Sequence, residues 1–229
     1  MDETTLVLVC KRPTPGIGKQ RLAESLGIET TQQVAKALLA CAVEDACDWP
    51  GPVVIAPASA DDTEWAQALS APIPSPVLIV PQVAGNLGQR LNALDQTLRS
   101  QGMKQLVFIG SDSPGLDTTD YAASRTALQH TDVVLIPALD GGVVLMASRC
   151  TWPELSDLPW SSDQLGAALI DSCRVAGRSV KTLGQGYDVD EADDFVKLVT
   201  LLGQDPRSAR RALLELTKCI IPAMKITNA

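Results

Sequence analysis

Histidine occurs once in the 229 residues, as His130, and aromatic side chains are scarce, with two Phe, two Tyr and four Trp. One histidine supplies no pair of imidazoles for a zinc site and makes Ser-His-Asp chemistry a poor reading. His130 ends a helical pattern, where capping or solvent exposure is the ordinary role. With so few rings, the core has to be aliphatic. Positive charge is also short: 19 Lys plus Arg stand against 27 Asp plus Glu, for a formal net charge of −8 and a pI near 4.6. Nucleic-acid or anionic-membrane binding needs a basic face and is not expected; any phosphate chemistry must draw on a local cluster of cations. No apolar run approaches the roughly 18 residues of a membrane span. Met1-Asp2-Glu3 lacks the cationic start of a secretory signal, so a cytoplasmic location is expected. The six Cys show no C-x-x-C spacing and are expected as buried or half-buried free thiols.

What is present is a series of short aliphatic runs: Leu6–Cys10, Val53–Ala56, Val77–Val80, Leu106–Ile109, Val133–Ile136 and Val143–Met146. Each is apolar nearly throughout, as strands covered on both faces require. Helical patterns separate most of them. Val34, Leu38, Ala42 and Ala46 keep a four-residue step, and Leu87, Leu91, Leu94 and Leu98 form a second stripe opening after Gly85-Asn86. Strands alternating with helices predict βαβ units and a mostly parallel central sheet in one α/β domain. After Asp140 the pattern changes: Asp140-Gly141-Gly142 separates two apolar runs and suits a tight reversal, hence an antiparallel strand. Helices are expected over Ser162–Arg174 and Glu191–Leu202, with a short strand-like run at Ser179–Leu183. Asp205-Pro206 opens a last helix whose Arg207, Arg210 and Arg211 are expected to face water. Residues 1–204 read as the main domain, and 205–229 as a C-terminal helix and tail packed on it.

Three segments could carry chemistry. Lys11 through Leu22 directly follows the first strand and gathers Lys11, Arg12, Lys19 and Arg21 with Gly16 and Gly18. Glycines let backbone N–H groups approach a phosphate, and cations neutralise its oxygens. The segment is not a Walker loop, because Gln20 stands where Ser or Thr belongs, nor a dinucleotide fingerprint, because Arg21 replaces the third Gly. The second segment, Gly110-Ser111-Asp112-Ser113-Pro114, puts a carboxylate on a strand-end loop. There Asp112 is either an oxygen ligand for Mg²⁺ or Mn²⁺ or a turn residue ahead of a helix starting near Asp117. The third is Asp188-Val189-Asp190. In extended backbone the two carboxylates share a face, and at about 4 Å they repel by ~1 kcal/mol in water and ~4 kcal/mol at an effective dielectric of 20, which a cation would reverse. Glu191, Asp193 and Asp194 read as an ordinary acidic first turn of a helix. Asp140 is a turn residue or a polar group beside a substrate. Arg90 either reaches a nucleotide phosphate or lies on the surface.

Taken together, these segments resemble bacterial GT-A-type glycosyltransferase-like proteins associated with radical-SAM and selenoprotein gene neighbourhoods, within the nucleotide-diphospho-sugar transferase superfamily. The family pattern K-x-P-x-P-G-x-x-K-T-R-L is matched from Lys11 to Leu22, and G-D-L-G-x-R from Gly85 to Arg90. G-S-D-S-P-x-L is matched from Gly110 to Leu116, and P-A-x-D-G-G from Pro137 to Gly142. W-S-T corresponds to Trp160-Ser161-Ser162, and D-V-D-x-x-x-D to Asp188 through Asp194. The resemblance implies a three-layer, Rossmann-like GT-A fold with a mostly parallel sheet. It implies Asp112 as a catalytic metal ligand, with Asp190 and Asp188 on the same Mg²⁺ or Mn²⁺ and Asp140 in the acceptor half. Lys11, Arg12, Gly16, Lys19, Arg21 and Arg90 would hold nucleotide phosphates.

The implied activity is transfer from a nucleotide-diphospho-sugar to a small acceptor. The alternatives are guanylyl- or cytidylyl-type transfer from an NTP with pyrophosphate release, or a catalytically silent nucleotide-binding protein. A homodimer is among the assemblies to consider. The chain departs from the pattern in three places: Gln20 replaces Thr, Asn86 replaces Asp, and Val143-Val144 stand where the family carries Tyr. Losing those rings removes surface that could position an acceptor.

Overall fold

In the computed structural model, which describes residues 3–227, seven strands form one sheet. In chain order they are β1 (Thr4–Cys10), β2 (Val53–Pro57), β3 (Val77–Ile79), β4 (Gln105–Ile109), β5 (Val133–Pro137), β6 (Val143–Ser148) and β7 (Val180–Thr182). Their order across the sheet is β3-β2-β1-β4-β6-β5-β7. All neighbours are parallel except at β6, which runs antiparallel to both β4 and β5. The reversal expected at Asp140-Gly141-Gly142 therefore inserts β6 into an otherwise parallel sheet.

The helices are α1 (Gln20–Leu26), α2 (Ile28–Asp48), α3 (Thr63–Ser70), α4 (Leu87–Ser100), α5 (Thr118–Leu128), α6 (Leu165–Val175), α7 (Ala192–Leu201) and α8 (Ser208–Thr227). Alternate strand residues feed the two faces. Leu6, Leu8 and Cys10 of β1 pack with Ile55, Val107 and Ile136 under α2, α3 and α5. Val7 packs with Ala56, Phe108 and Leu135 under α4 and α6. Two helical layers thus bury both sides of the sheet, which explains why the strands read as unbroken apolar runs. A third cluster joins Leu22 of α1, Val34 and Leu38 of α2, Val189, Phe195 of α7 and Leu213 of α8.

The expectation that Arg207, Arg210 and Arg211 face water holds for Arg211 but not for the other two, and Arg207 lies just ahead of α8 and not in it. Arg210 is fully buried and the Arg207 side chain is 16% exposed. Arg210 forks onto both oxygens of Asp45 at 2.8 and 2.7 Å, and Arg207 Nη1 donates to the same carboxylate at 2.9 Å, as does the Tyr121 hydroxyl at 2.9 Å. Asp45 sits on the buried face of α2 and takes both contacts from Arg210 Nη2, while Arg210 Nη1 donates to Glu44 at 3.1 Å. Burial of these cations is therefore dictated by an acid that lies far away in sequence. The same guanidinium groups donate to Pro114 and Leu116 carbonyls, from Arg210 Nε at 3.2 Å and Arg207 Nη2 at 3.0 Å, tying α8 to the loop after β4.

The thiols also need one correction. Cys10, Cys41 and Cys173 are buried and Cys47 and Cys150 half-buried, but Cys219 on α8 is exposed; all six are free. Burial, aided by the charge of Asp62, pushes the Cys10 thiol up to about 12, so it is no nucleophile at neutral pH.

The short edge strand β7 is stapled by Asp132, which accepts from the Ser179 backbone N–H at 2.9 Å, the Ser179 hydroxyl at 2.7 Å and Arg149 Nε at 3.2 Å. Those bonds, the Ser179 N–H foremost, hold the Asp132 carboxyl down to about 2 from an ordinary 3.8.

Two outcomes are expected. Arg210→Met leaves Asp45 buried with less compensation and should lower unfolding free energy in urea by about 3–5 kcal/mol, with Asp45→Asn/Arg210→Met losing less than the sum of the single changes. Because the Asp132 carboxylate is favoured in the folded state, its contribution is present above the ordinary 3.8 and lost as pH falls toward about 2. Asp132→Asn should therefore lower the urea midpoint at neutral pH, with the gap to wild type closing as the pH is taken down through that window.

Candidate functional site

The chain runs from β1 to β2 and β3 on one side, then returns to place β4 on the other side of β1. Where strand order reverses in this way, the loops leaving neighbouring strands part in opposite directions and open a crevice at the carboxyl ends. The loops after β1 and β4 are the two segments singled out by their cations and by Asp112.

The β1 loop is kept from becoming helix by Pro13 and Pro15, and turns at Gly16 and Gly18, both with positive φ (73° and 77°). Lys19 follows in the left-handed region at φ 49°, which costs a non-glycine residue about 1–2 kcal/mol. Its carbonyl accepts from Ala23 N at 2.9 Å and so starts α1, while Leu22 drops into the third core cluster. That conformation aims the side chain inward. Lys19 Nζ donates to Asp190 Oδ1 at 2.8 Å, Asp112 Oδ2 at 3.2 Å and the Val189 carbonyl at 2.6 Å.

The two carboxylate segments are also bonded to each other, Val189 N donating to the Asp112 carbonyl at 3.0 Å. Val189 is fully buried, so the residues on either side of it are turned outward with Asp190 toward the lysine. Gly110 allows the Asp112 side chain to fold over its own loop, since a Cβ there would lie 2.7 Å from Asp112 Oδ1.

Charge is concentrated here. The Lys19 side chain is 15% exposed; burial opposes its charge, but Asp112 and Asp190 outweigh it and hold its pKa above the ordinary lysine value. Asp188 has no such cation. Burial first, then the negative charges of Asp140, Asp112 and Asp190, push its carboxyl up to about 7.

Behind the carboxylates lies a cavity of about 330 Å³, within the size range of small-molecule sites. Phe108 and Met146 of the sheet, Leu87 and Leu91 of α4, and Val143 form apolar walls, with Lys11, Asp112 and Asp188 among the polar lining groups. Arg90 reaches in from α4 with Nη1 on Gln82 Oε1 at 3.1 Å, and Gln82 is anchored by donating to the Ala56 carbonyl at 2.7 Å. Arg90 Nε is buried without a hydrogen-bond partner. Trp160 also lines the cavity, its indole N–H fixed on the Leu155 carbonyl at 2.8 Å.

Lys11, Arg90, Asp112 and Asp188 thus line one cavity, and Lys19 and Asp190 join it through Asp112. Arg21 lies nearby but exposed, paired with Glu191 at 3.1 Å. Arg12 turns to Asp62, 3.7 Å away, and Gly16 borders a separate crevice against α2. Asp140 is exposed and accepts from Gly142 N at 2.9 Å, closing the turn; Gly141 there has φ 89°, and a Cβ on it would meet the Asp163 carbonyl at 2.0 Å. Gln82 and the wall residues Phe108 and Met146 were not singled out by the sequence. Gln82 sits in a Pro-Gln-Val loop that carries no periodic or motif signal.

Carboxylate oxygens suit a hard dication, and Asp112 and Asp190 can share one cation because they already share the Lys19 ammonium. Among the described residues, no group of three or more His, Cys, Asp or Glu could hold a metal ion. The pair would suit an ion of the Mg²⁺ or Mn²⁺ kind that takes its remaining ligands from outside the protein, and not a cage made by protein alone.

Asp188 has a stability consequence. Its folded pKa of about 7 exceeds the ordinary 3.8, so the unfolded chain releases the proton first and stability falls as pH rises between those values. Asp188→Asn should melt at a higher temperature than wild type near pH 8 and show a much smaller difference near pH 4, as followed by circular dichroism.

No curated protein matches the chain. Among solved structures, it is similar to a Desulfovibrio desulfuricans G20 protein provisionally named a nucleotide-diphospho-sugar transferase. The TM-score is 0.84 at 23% identity, covering 98% of this chain and 99% of that one. A cytidylyltransferase from Leptospira borgpetersenii aligns with TM-score 0.54 at 10% identity over 98% of this chain and 97% of its own. The 4-diphosphocytidyl-2C-methyl-D-erythritol synthase of Anaerococcus prevotii aligns with TM-score 0.50 at 12% identity, over 84% and 95%. At these identities the likeness establishes the fold, a three-layer α/β arrangement of the nucleotide-diphospho-sugar transferase type. A family model described as an uncharacterized protein conserved in bacteria, DUF2064, matches residues 39–162, which hold Arg90, Asp112, Asp140 and Trp160; the chain belongs to that family.

Proposed function

We propose that the protein is a metal-dependent transferase that binds a nucleotide-diphospho-sugar in the cavity beside Asp112 and passes the glycosyl group to a small acceptor. The observation carrying this reading is the meeting of Lys19, Asp112 and Asp190 at the crevice between β1 and β4. A diphosphate there would find a cation from each side: Lys11 and Lys19 from the β1 loop and Arg90 from α4. The leaving nucleoside diphosphate gains negative charge as the glycosyl bond breaks. A dication held by Asp112 and Asp190, with Asp188 near it, would supply the electrostatic stabilisation of that charge. Arg90 suits a phosphate because its buried Nε has no partner among the described residues. Arg21 and Arg12 are assigned to the outer rim of the phosphate site and Gly16 to the turn that lets the loop approach. Asp140 borders the acceptor side, where its charge is felt by Asp188.

Nucleotidyl transfer from an NTP is the second reading. It is favoured by the closeness of Lys19 to the carboxylate pair, where an ammonium can follow a departing pyrophosphate. The two readings are separated by products. With Mg²⁺ or Mn²⁺ present, a nucleoside diphosphate released from a nucleotide sugar marks glycosyl transfer, and pyrophosphate released from an NTP marks nucleotidyl transfer. Asp112→Asn and Asp190→Asn should each lower the metal-dependent rate by about a hundredfold or more while leaving the circular dichroism spectrum intact. Failure of every nucleotide and nucleotide sugar to bind in calorimetry would overturn both readings.

A further inference from the structure

We propose that Lys19 is the resident cation of the Asp112–Asp190 pair and excludes a free divalent ion, so that the site accepts a metal only as its complex with a polyphosphate. Three observations on Lys19 carry this. Its ammonium lies within 3.2 Å of both carboxylates and of a buried backbone carbonyl, which uses all three of its donors. The Lys19 side chain is 15% exposed against 38% and 46% for Asp112 and Asp190, so the ammonium is withdrawn from solvent while the carboxylates still face the crevice. The backbone is held in a left-handed conformation that directs the chain at the pair instead of outward.

A dication entering between Asp112 and Asp190 would have to sit against this ammonium or displace it. Displacing it leaves a largely buried positive charge with the Val189 carbonyl but without either carboxylate. Phosphate oxygens remove that obstacle, because they give Lys19 a new anionic partner while completing the coordination of an ion that has only two protein carboxylates. Metal and phosphate therefore enter together, and Lys19 passes from the carboxylates to the phosphate as they do.

Only the second half of the inference rests on the nucleotide reading above; the competition between Lys19 and the metal does not. The test uses Mn²⁺ alone as the probe, with the full-length chain and no nucleotide. Binding is measured by calorimetry and by loss of the free-ion electron paramagnetic resonance signal. Wild type should bind Mn²⁺ weakly, while Lys19→Met should bind one ion roughly tenfold more tightly or better. Lys19→Gln, which keeps a polar group without the charge, should do the same if the methionine variant folds poorly. Mn²⁺ should raise the melting temperature of these variants and leave that of wild type nearly unchanged. Adding Asp112→Asn and Asp190→Asn to either variant should remove the gain. Equal Mn²⁺ affinity in wild type and both lysine variants, or a gain that survives loss of the two carboxylates, would overturn the proposal. If the lysine variants gain Mn²⁺ but no nucleotide binds to any form, the transferase reading fails and the competition stands. If wild type binds a metal–nucleotide complex but the variants gain no Mn²⁺, the competition alone fails.

Discussion

The backbone bond from Val189 N to the Asp112 carbonyl, with the Val189 side chain sealed in the third core cluster, is the constraint on which the site depends. One side chain is buried and one amide is satisfied, and both acidic segments are then fixed with little freedom to drift. Leu22 enters the same apolar cluster from the β1 loop, so the segment bearing Lys19 is anchored by the same burial. A polar constellation assembled from three distant stretches is in this way held by apolar packing just beneath it. The C-terminal helix and the residue ahead of it add a second clamp, because Arg210 and Arg207 hold the Pro114 and Leu116 carbonyls just beyond Asp112. The last helix is consequently part of what orders the loop after β4.

Electrostatics explains why these supports are needed. The chain carries a formal net charge of −8 and still gathers Asp112, Asp140, Asp188 and Asp190 close enough for each to act on Asp188. Like charges at such a place push segments apart unless covalent connectivity and core burial hold them together. Lys19 contacts two of the four carboxylates and offsets one unit of their charge. Asp188 is left crowded, and its raised pKa records that crowding. A strained lysine and a crowded aspartate side by side are local departures from what folding alone would favour, and such departures concentrate where a molecule does chemistry.

Much of the architecture could be read from the chain because it is written in local periodicity. Unbroken apolar runs gave both-face burial and parallel strands, and Asp-Gly-Gly between two such runs gave the antiparallel β6. The buried position of Arg210 could not be read this way. Four residues after a Pro, on a helix opening with several arginines, it has every local mark of a solvated residue; its partner Asp45 is 165 positions away. Gln82 escaped for a related reason, since its role comes from the spatial approach of Ala56 and Arg90. The residue types at the site were legible as motifs. Their pairing is not, because a lysine in a glycine-bearing loop carries the local marks of a phosphate ligand, whereas the structure has Lys19 on carboxylates.

That pairing changes how the β1 loop is understood. A lysine dedicated to phosphate would be expected to stand in solvent, where it costs nothing to keep an ammonium hydrated. Here the ammonium is withdrawn from water and given three protein acceptors, so it is released only by something that bonds it comparably well. Phe108, Met146 and Val143, with Trp160 held by the Leu155 carbonyl, give apolar walls to the adjoining cavity that Asp112 also lines. An anion presented by a ligand that also buries an apolar body against those walls meets both conditions at once. Those lysine–carboxylate bonds, and not exposure to solvent, therefore set what any anion has to replace at this loop.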